Sequence, residues 1–210
     1  FIETTQRYIS AGKFSDLDLP QEALTLLKVL TTNTDSEGNP LAFDPPYLHQ
    51  AQALEQILKG KSLVVATGTG SGKTETFLYP MLSKLAQEAQ TSPASFAKPS
   101  IRALILYPMN ALVNDQLGRL RSLIGDDAVA ASFTEWGGRP ARFARYTSRT
   151  LYPGVRDKAD DSDKLASIKR FYINLIDRKA SGDEAAEKQI YELQKRGKWP
   201  SKPDIKEWFG

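Results

Sequence analysis

Thr67-Gly68-Thr69-Gly70-Ser71-Gly72-Lys73-Thr74 is the stretch on which the reading of this 210-residue chain turns. Its alternating glycines let backbone N–H groups converge on an anion with no side chain in the way. An apolar run, Ser62-Leu63-Val64-Val65-Ala66, precedes it, and Phe77-Leu78-Tyr79-Pro80-Met81-Leu82 opens a longer apolar pattern after it. Strand, glycine-rich turn and helix form the setting in which such a loop holds phosphate. The helix adds its unsatisfied N–H groups and the positive end of its dipole. In that arrangement Lys73 binds the β- and γ-phosphates of a nucleoside triphosphate, and the Thr74 hydroxyl ligates Mg²⁺. The strict pattern opens with glycine, and Thr67 stands in that place.

Working outward, Pro45-Pro46 breaks the chain before Tyr47. There Leu48, Ala51, Leu54, Ile57 and Leu58 recur at steps of three and four, which predicts an amphipathic helix closed by Gly60. Further upstream, Leu24, Leu26, Leu27, Val29 and Leu30 form a helical stretch after Pro20, followed by turn-rich residues 31–40. Downstream, residues 77–90 read as the helix behind the loop and 91–100 as a surface loop. Residues 101–108 read as a second apolar strand, 111–124 as a second helix, and 128–133 as a third strand. Strands alternating with helices imply a parallel sheet covered on both faces. Residues 161–198 read as two charged helices whose stripe, Leu165, Ile168, Phe171, Tyr172, Leu175 and Ile176, is core or interface. The organisation expected is an N-terminal segment at 1–40, the first part of an α/β ATP-binding domain at 41–157, and a charged helical insertion at 158–210.

Composition narrows the function. At 40% hydrophobic and 25% charged the chain is ordinary globular material. It has no cysteine, which excludes disulfides, thiol catalysis and Cys-ligated zinc, and a single histidine, His49, excludes a histidine-rich metal site. A net charge of +3 is too small to prove a polyanionic partner, so the distribution of charge matters more. No apolar run approaches the roughly 20 residues of a membrane span, and the start lacks the grammar of a signal peptide. The expectation is a soluble, cytoplasmic protein. A chain that starts without Met and stops at Trp208-Phe209-Gly210 is expected to be a piece of something longer.

Together these segments resemble the superfamily 2 helicases of the DEAD/DEAH type. Thr67 to Glu75 is similar to their motif I, in which a small residue commonly replaces the first glycine. Tyr47-Leu48-His49-Gln50 resembles their Q motif; the resemblance implies ATP preference through Gln50, whose amide can pair with a donor and an acceptor on adenine. Tyr107-Pro108-Met109-Asn110-Ala111-Leu112-Val113-Asn114-Asp115-Gln116 resembles motif Ia, which touches the nucleic-acid backbone. Met109-Asn110 replaces the usual Thr-Arg, leaving Asn110 and the helix-start amides as phosphate donors. Tyr146-Thr147-Ser148-Arg149 resembles motif Ib, with Ser148 where glycine is common. The form of motif Ia and the later GKWPSKPDIKEWFG (197–210) look most like the large helicases of bacterial anti-phage systems, of the Druantia and DISARM type.

The resemblance implies a RecA-like domain that is incomplete at its C-terminus. It further implies ATP and Mg²⁺ as cofactors, nucleic acid (DNA first) as the track, and other defence subunits as partners. A second RecA-like domain with its arginine finger, and the buried Walker B acids, are expected beyond Gly210, so this chain alone is expected to bind nucleotide weakly and not to turn it over. Two other classes share the same loop: a P-loop ATPase acting as a switch or loader without translocation, and a nucleic-acid-binding module without hydrolysis.

Residues 139–156 hold five arginines and three aromatics with no acid. Arg139, Arg142, Arg145, Arg149 and Arg156 alternate with Phe143, Tyr146 and Tyr152, a chemistry suited to phosphates and exposed bases of a single strand. Arg139, Arg142, Arg145 and Arg149, together with Asn110 and Thr147, which the resemblance to motifs Ia and Ib implies, are the candidate nucleic-acid contacts. Asp183-Glu184-Ala185-Ala186 imitates a DExx box but lacks the apolar strand that would bury its Asp. It reads as a helix N-terminus, where the dipole favours acids.

Overall fold

In the computed structural model, residues 8–35, 37–68, 70–146, 158–195 and 198–200 are described. Helix α1 (Gln21–Thr32) starts directly after Pro20, whose fixed φ suits a helix entrance, and carries Glu22 in its first turn. Its buried residues Ala23, Leu26, Leu27 and Leu30 fall on one stripe. Asn33 closes it by donating from both its backbone and its side-chain amide to the Val29 carbonyl. Helix α2 (Leu48–Leu58) buries Gln50, Ala51, Ala53 and Leu54, and Gly60 at φ +80° ends it as expected.

Helix α3 (Glu75–Thr91) is the element on which α1 and α2 both pack. Pro80 lies inside it, beyond the first turn, and is fully buried. Its buried face runs through Leu78, Tyr79, Leu82, Ala86 and Ala89. Burying Leu78 and Leu82 contributes roughly 1.5–3 kcal/mol each. Phe14, on the 3₁₀ turn Phe14–Asp16, packs edge-on against Tyr79, and burial pushes the Tyr79 hydroxyl up to about 12.

The described residues pack as two units. The first comprises those of Phe1–Thr34, Pro40–Leu104 and Ala131–Ala141. It contains a second focus of packing around Phe96, at the end of the short helix α4 (Pro93–Phe96), an element that the sequence reading leaves as loop. Phe96 stacks on Phe133 at 5.7 Å, and the guanidinium groups of Arg102 and Arg139 lie 5.3 and 5.0 Å from its ring centre. Arg102 also donates to Glu88 at 2.6 Å and to the Ser95 carbonyl, which pins residues 92–102 onto α3. The Arg102 guanidinium holds the Glu88 carboxyl below its usual range.

The second unit comprises the described residues of Asp35–Asn39, Ile105–Ala130 and Arg142–Gly210. Its helix α5 (Asn110–Ile124) buries Leu117, Leu120, Leu123 and Ile124. The charged region forms the expected pair, α7 (Lys158–Ala180) and α8 (Glu184–Lys195), with Gly182 at φ +85° in the turn. Leu175, Ala186 and Ile190 make their joint core, covered by Leu193 and Trp199. Within the stripe read as core or interface, Leu175 is buried while Ile168 and Phe171 stay exposed.

The expected strands fare differently. Residues 128–133 are helical, part of α6 (Asp127–Gly137), which corrects the strand reading. Asp126 is the cause: its Oδ1 accepts the N–H groups of Ala128 and Val129 and so caps a helix. The buried residues Val129, Ala130 and Phe133 then fall at helical spacing. Residues 62–66 and 101–107 carry no helix, and no sheet ladder forms among the described residues. The β-pairing among them consists of the isolated bridges Ser10–Tyr47 and Thr34–Pro40. Val64 is 94% exposed, Ile101 88% and Leu106 81%, so these apolar runs are not covered.

Candidate nucleotide-binding site

The site begins at the entrance of α2. The Tyr47 N–H donates to Gln50 Oε1 at 2.9 Å, which fixes the first turn and turns the amide inward; Gln50 is 6% exposed. The same amide donates through Nε2 to the Gly72 carbonyl at 3.0 Å. His49, beside it, makes a 2.9 Å bond through Nε2 to the Ser71 carbonyl. A carbonyl only accepts, so His49 Nε2 is the donor.

The loop itself is cross-tied. The Thr67 and Ser71 hydroxyls meet at 2.6 Å, and Ser71 is buried. Lys73 donates to the carbonyls of Thr67 and Gly68. Gly70 and Gly72 sit at φ +72° and +69°, where any side chain is strained. A Cβ at Gly72 would also overlap Gln50 Nε2 and come within 3.0 Å of Glu75 Oε2. A Cβ at Gly68 would press on the Tyr8 hydroxyl at 2.7 Å.

Residues Thr67, Gly68, Gly70, Ser71, Gly72, Lys73 and Thr74 thus stand as one turn leading into α3, and Glu75 is buried in that helix's first turn. Tyr47 and Gln50 border them from α2. The donor set fits a triphosphate: successive N–H groups at a helix start, an ammonium and a hydroxyl. Thr74 offers Mg²⁺ one oxygen, and no cluster of three or more acidic or histidine residues suited to a metal occurs among the described residues. Thr69 lies outside the described residues.

Sequence reasoning left Tyr8 and the role of His49 unassigned. Tyr8 lies 5.6 Å from the Tyr47 ring and 5.7 Å from His49, while Tyr47 and His49 stack at 5.8 Å. Nothing local marks Tyr8. His49 could have been found from its place next to Gln50 at a helix entrance.

The chain matches the DEAD/DEAH box helicase family over residues 47–150. That span runs from the first residue of the α2 entrance, through the loop and α3, to the end of the motif Ib resemblance. Residues 47–150 are a DEAD/DEAH box helicase segment. That family carries the RecA-like P-loop fold, the use of ATP, usually with Mg²⁺, and nucleic-acid binding as family properties. It is 41% identical over its whole length to Druantia protein DruE of Escherichia coli, of which the match covers 11%. It is also 36% identical to the uncharacterized ATP-dependent helicase YprA of Bacillus subtilis, over 43% of this chain and 11% of the relative. ATP-dependent RNA helicase DBP9 of Coccidioides immitis is 35% identical over 44% of this chain and 15% of its own. The chain therefore spans about a tenth to a seventh of the length of these relatives. No solved structure gives a significant match.

The candidate nucleic-acid residues are placed unevenly. Arg139 donates to the Phe96 carbonyl at 2.7 Å and lies on its ring, which makes it part of the packing. Arg142 and Arg145 are exposed, and Asn110 is the first residue of α5. Thr147 and Arg149 lie outside the described residues. The false DExx box is a helix cap, as its sequence setting implies. Asp183 accepts the N–H groups of Ala185 and Ala186 and pairs with Arg178 at 2.8 Å. No helix among the described residues is long and apolar enough to cross a membrane.

Proposed function

We propose that this chain is the ATP-binding portion of an ATP-driven helicase or translocase acting on DNA in bacterial anti-phage defence, in the cytoplasm. The observation that carries the ATP reading is the loop at the start of α3, whose Ser71 and Gly72 carbonyls are both tied back to α2. Lys73 would bind the β- and γ-phosphates, with the α3 amides and the loop N–H groups completing the cradle. Thr74 would hold Mg²⁺, which when bound offsets charge on the phosphate oxygens. Beyond its two bonds, the Gln50 amide keeps one N–H and one lone pair, the two functions that adenine would need.

Residues 62–66 and 101–108 are assigned as strands of a parallel RecA-like sheet. Their exposed Val64, Ile101, Leu104 and Leu106 are the kind of side chain that such a sheet buries. The domain scheme is a segment at 1–40, the first part of the RecA-like domain at 41–157, and the helical pair at 158–210. The relatives' greater length supports a second RecA-like domain, with the Walker B acids and arginine finger, elsewhere in the full protein. ATP binding would close the two domains and hydrolysis release them, moving phosphate contacts along one strand. The 41% identity to the Druantia protein supports the defence setting and partner subunits from such a system.

Arg142, Arg145 and Arg149 are the proposed strand contacts, with Asn110 and Thr147. Replacing the three arginines together by alanine in the full-length protein should weaken single-stranded DNA binding and flatten its salt dependence. The log–log slope should fall by about 0.7 per phosphate contact, hence by about 2 in all. Basal ATP turnover should persist. Titrations at several salt concentrations check this, and an unchanged slope would remove these residues from the interface.

A further inference from the structure

We propose that His49 is a positioning residue for the phosphate cradle: by holding the Ser71 carbonyl it aims the Gly72 N–H at the triphosphate. The inference rests on the nucleotide reading above and adds to it a residue that the family match leaves without a role. The peptide unit is planar and trans, so its C=O and N–H point in opposite directions. The Ser71 carbonyl is held by His49 at 2.9 Å and the Gly72 carbonyl by Gln50 at 3.0 Å. Fixing two successive carbonyls toward α2 directs the N–H groups of Gly72 and Lys73 away from α2. The Gly72 carbonyl also accepts the Glu75 N–H of α3 at 3.3 Å, so the helix entrance helps to set the Gly72–Lys73 peptide; the His49 tie acts on the Ser71–Gly72 peptide, beside a Gly72 in the left-handed region.

His49 is itself fixed from three sides. It stands in the first turn of α2, its ring stacks on Tyr47 at an interplanar angle of 15°, and Tyr8 packs against it at 5.7 Å. An imidazole held this way loses little freedom on making its bond, which is what preorganisation requires. The ring touches the loop's backbone, and its effect should therefore fall on the phosphates and not on the base.

The test compares binding of ATP, GTP and inorganic tripolyphosphate to the full-length protein by calorimetry. His49→Ala should weaken all three by a common factor of about ten, the value of one hydrogen bond in the cradle. His49→Gln, whose amide can reach the same carbonyl, should stay within about twofold of wild type for each probe. A loss confined to ATP would overturn the proposal and make His49 a contact to the base. Unchanged binding of all three by His49→Ala would show the bond to be incidental. A failure of His49→Gln to restore tripolyphosphate binding would reduce His49 to a packing residue. If wild-type protein binds none of the probes, the nucleotide reading fails and this inference with it; an effect absent only in the variants sinks the inference alone.

Discussion

Replacing Lys73 by alanine in the full-length protein should cut ATP turnover by at least about a hundredfold while the fold survives. Transition-state charge on transferring phosphoryl groups is met by such a cation, and removing one fixed donor from a charge-stabilising site costs about 10²–10³ in rate. Stability is spared because Lys73 is exposed and its ammonium bonds carbonyls of the loop, those of Thr67 and Gly68. Exposed substitutions of that kind stay within about 0.5 kcal/mol. Phosphate release and thermal melting of the same preparation check both halves. Turnover near wild type in the purified variant would remove Lys73 from the chemistry.

The largest effect on stability should come from Phe96→Ala. Phe96 is 1% exposed, stacks on Phe133 and has Arg102 and Arg139 over its ring. Truncating a buried phenylalanine costs about 3–5 kcal/mol, and the two cation–π contacts go with it. It also leaves the buried Gly137 facing a cavity, since a Cβ at Gly137 would now overlap the Phe96 ring. The readout is hydrogen exchange of the amides of α3 and α6 in the full-length protein. Exchange that proceeds through local opening should accelerate by at least about a hundredfold. Acceleration of tenfold or less would mean that Arg102 and its bond to Glu88 hold the segment without the ring.

The legible parts of the chain were those whose signal is local. Helices α2, α3, α5 and α7 announce themselves by apolar spacing, and Gly60 marks an end that φ above zero favours. The phosphate loop is legible because glycine, lysine and threonine at fixed spacing do one chemical job. Asp183 is legible as a cap because no apolar strand precedes it.

Residues 128–133 were misread because alternating small and apolar residues suit either period, and the deciding group, Asp126, lies outside the apolar run. Arg139 was grouped with the other arginines by composition, yet Phe96, 43 residues away, claims it. The meeting of Tyr8 with Gly68 is of the same non-local kind. Residues 62–66 and 101–107 have strand-like sequences, but a strand is defined by its neighbour, and no ladder forms among the described residues.

The central claim, that the loop serves an ATPase driven by nucleic acid, is tested most directly by steady-state phosphate release from the full-length protein with and without single-stranded DNA. Turnover that rises at least several-fold with DNA, and disappears in Lys73→Ala under both conditions, is the expected result. Turnover indifferent to DNA and RNA alike, or retained by Lys73→Ala, would contradict it.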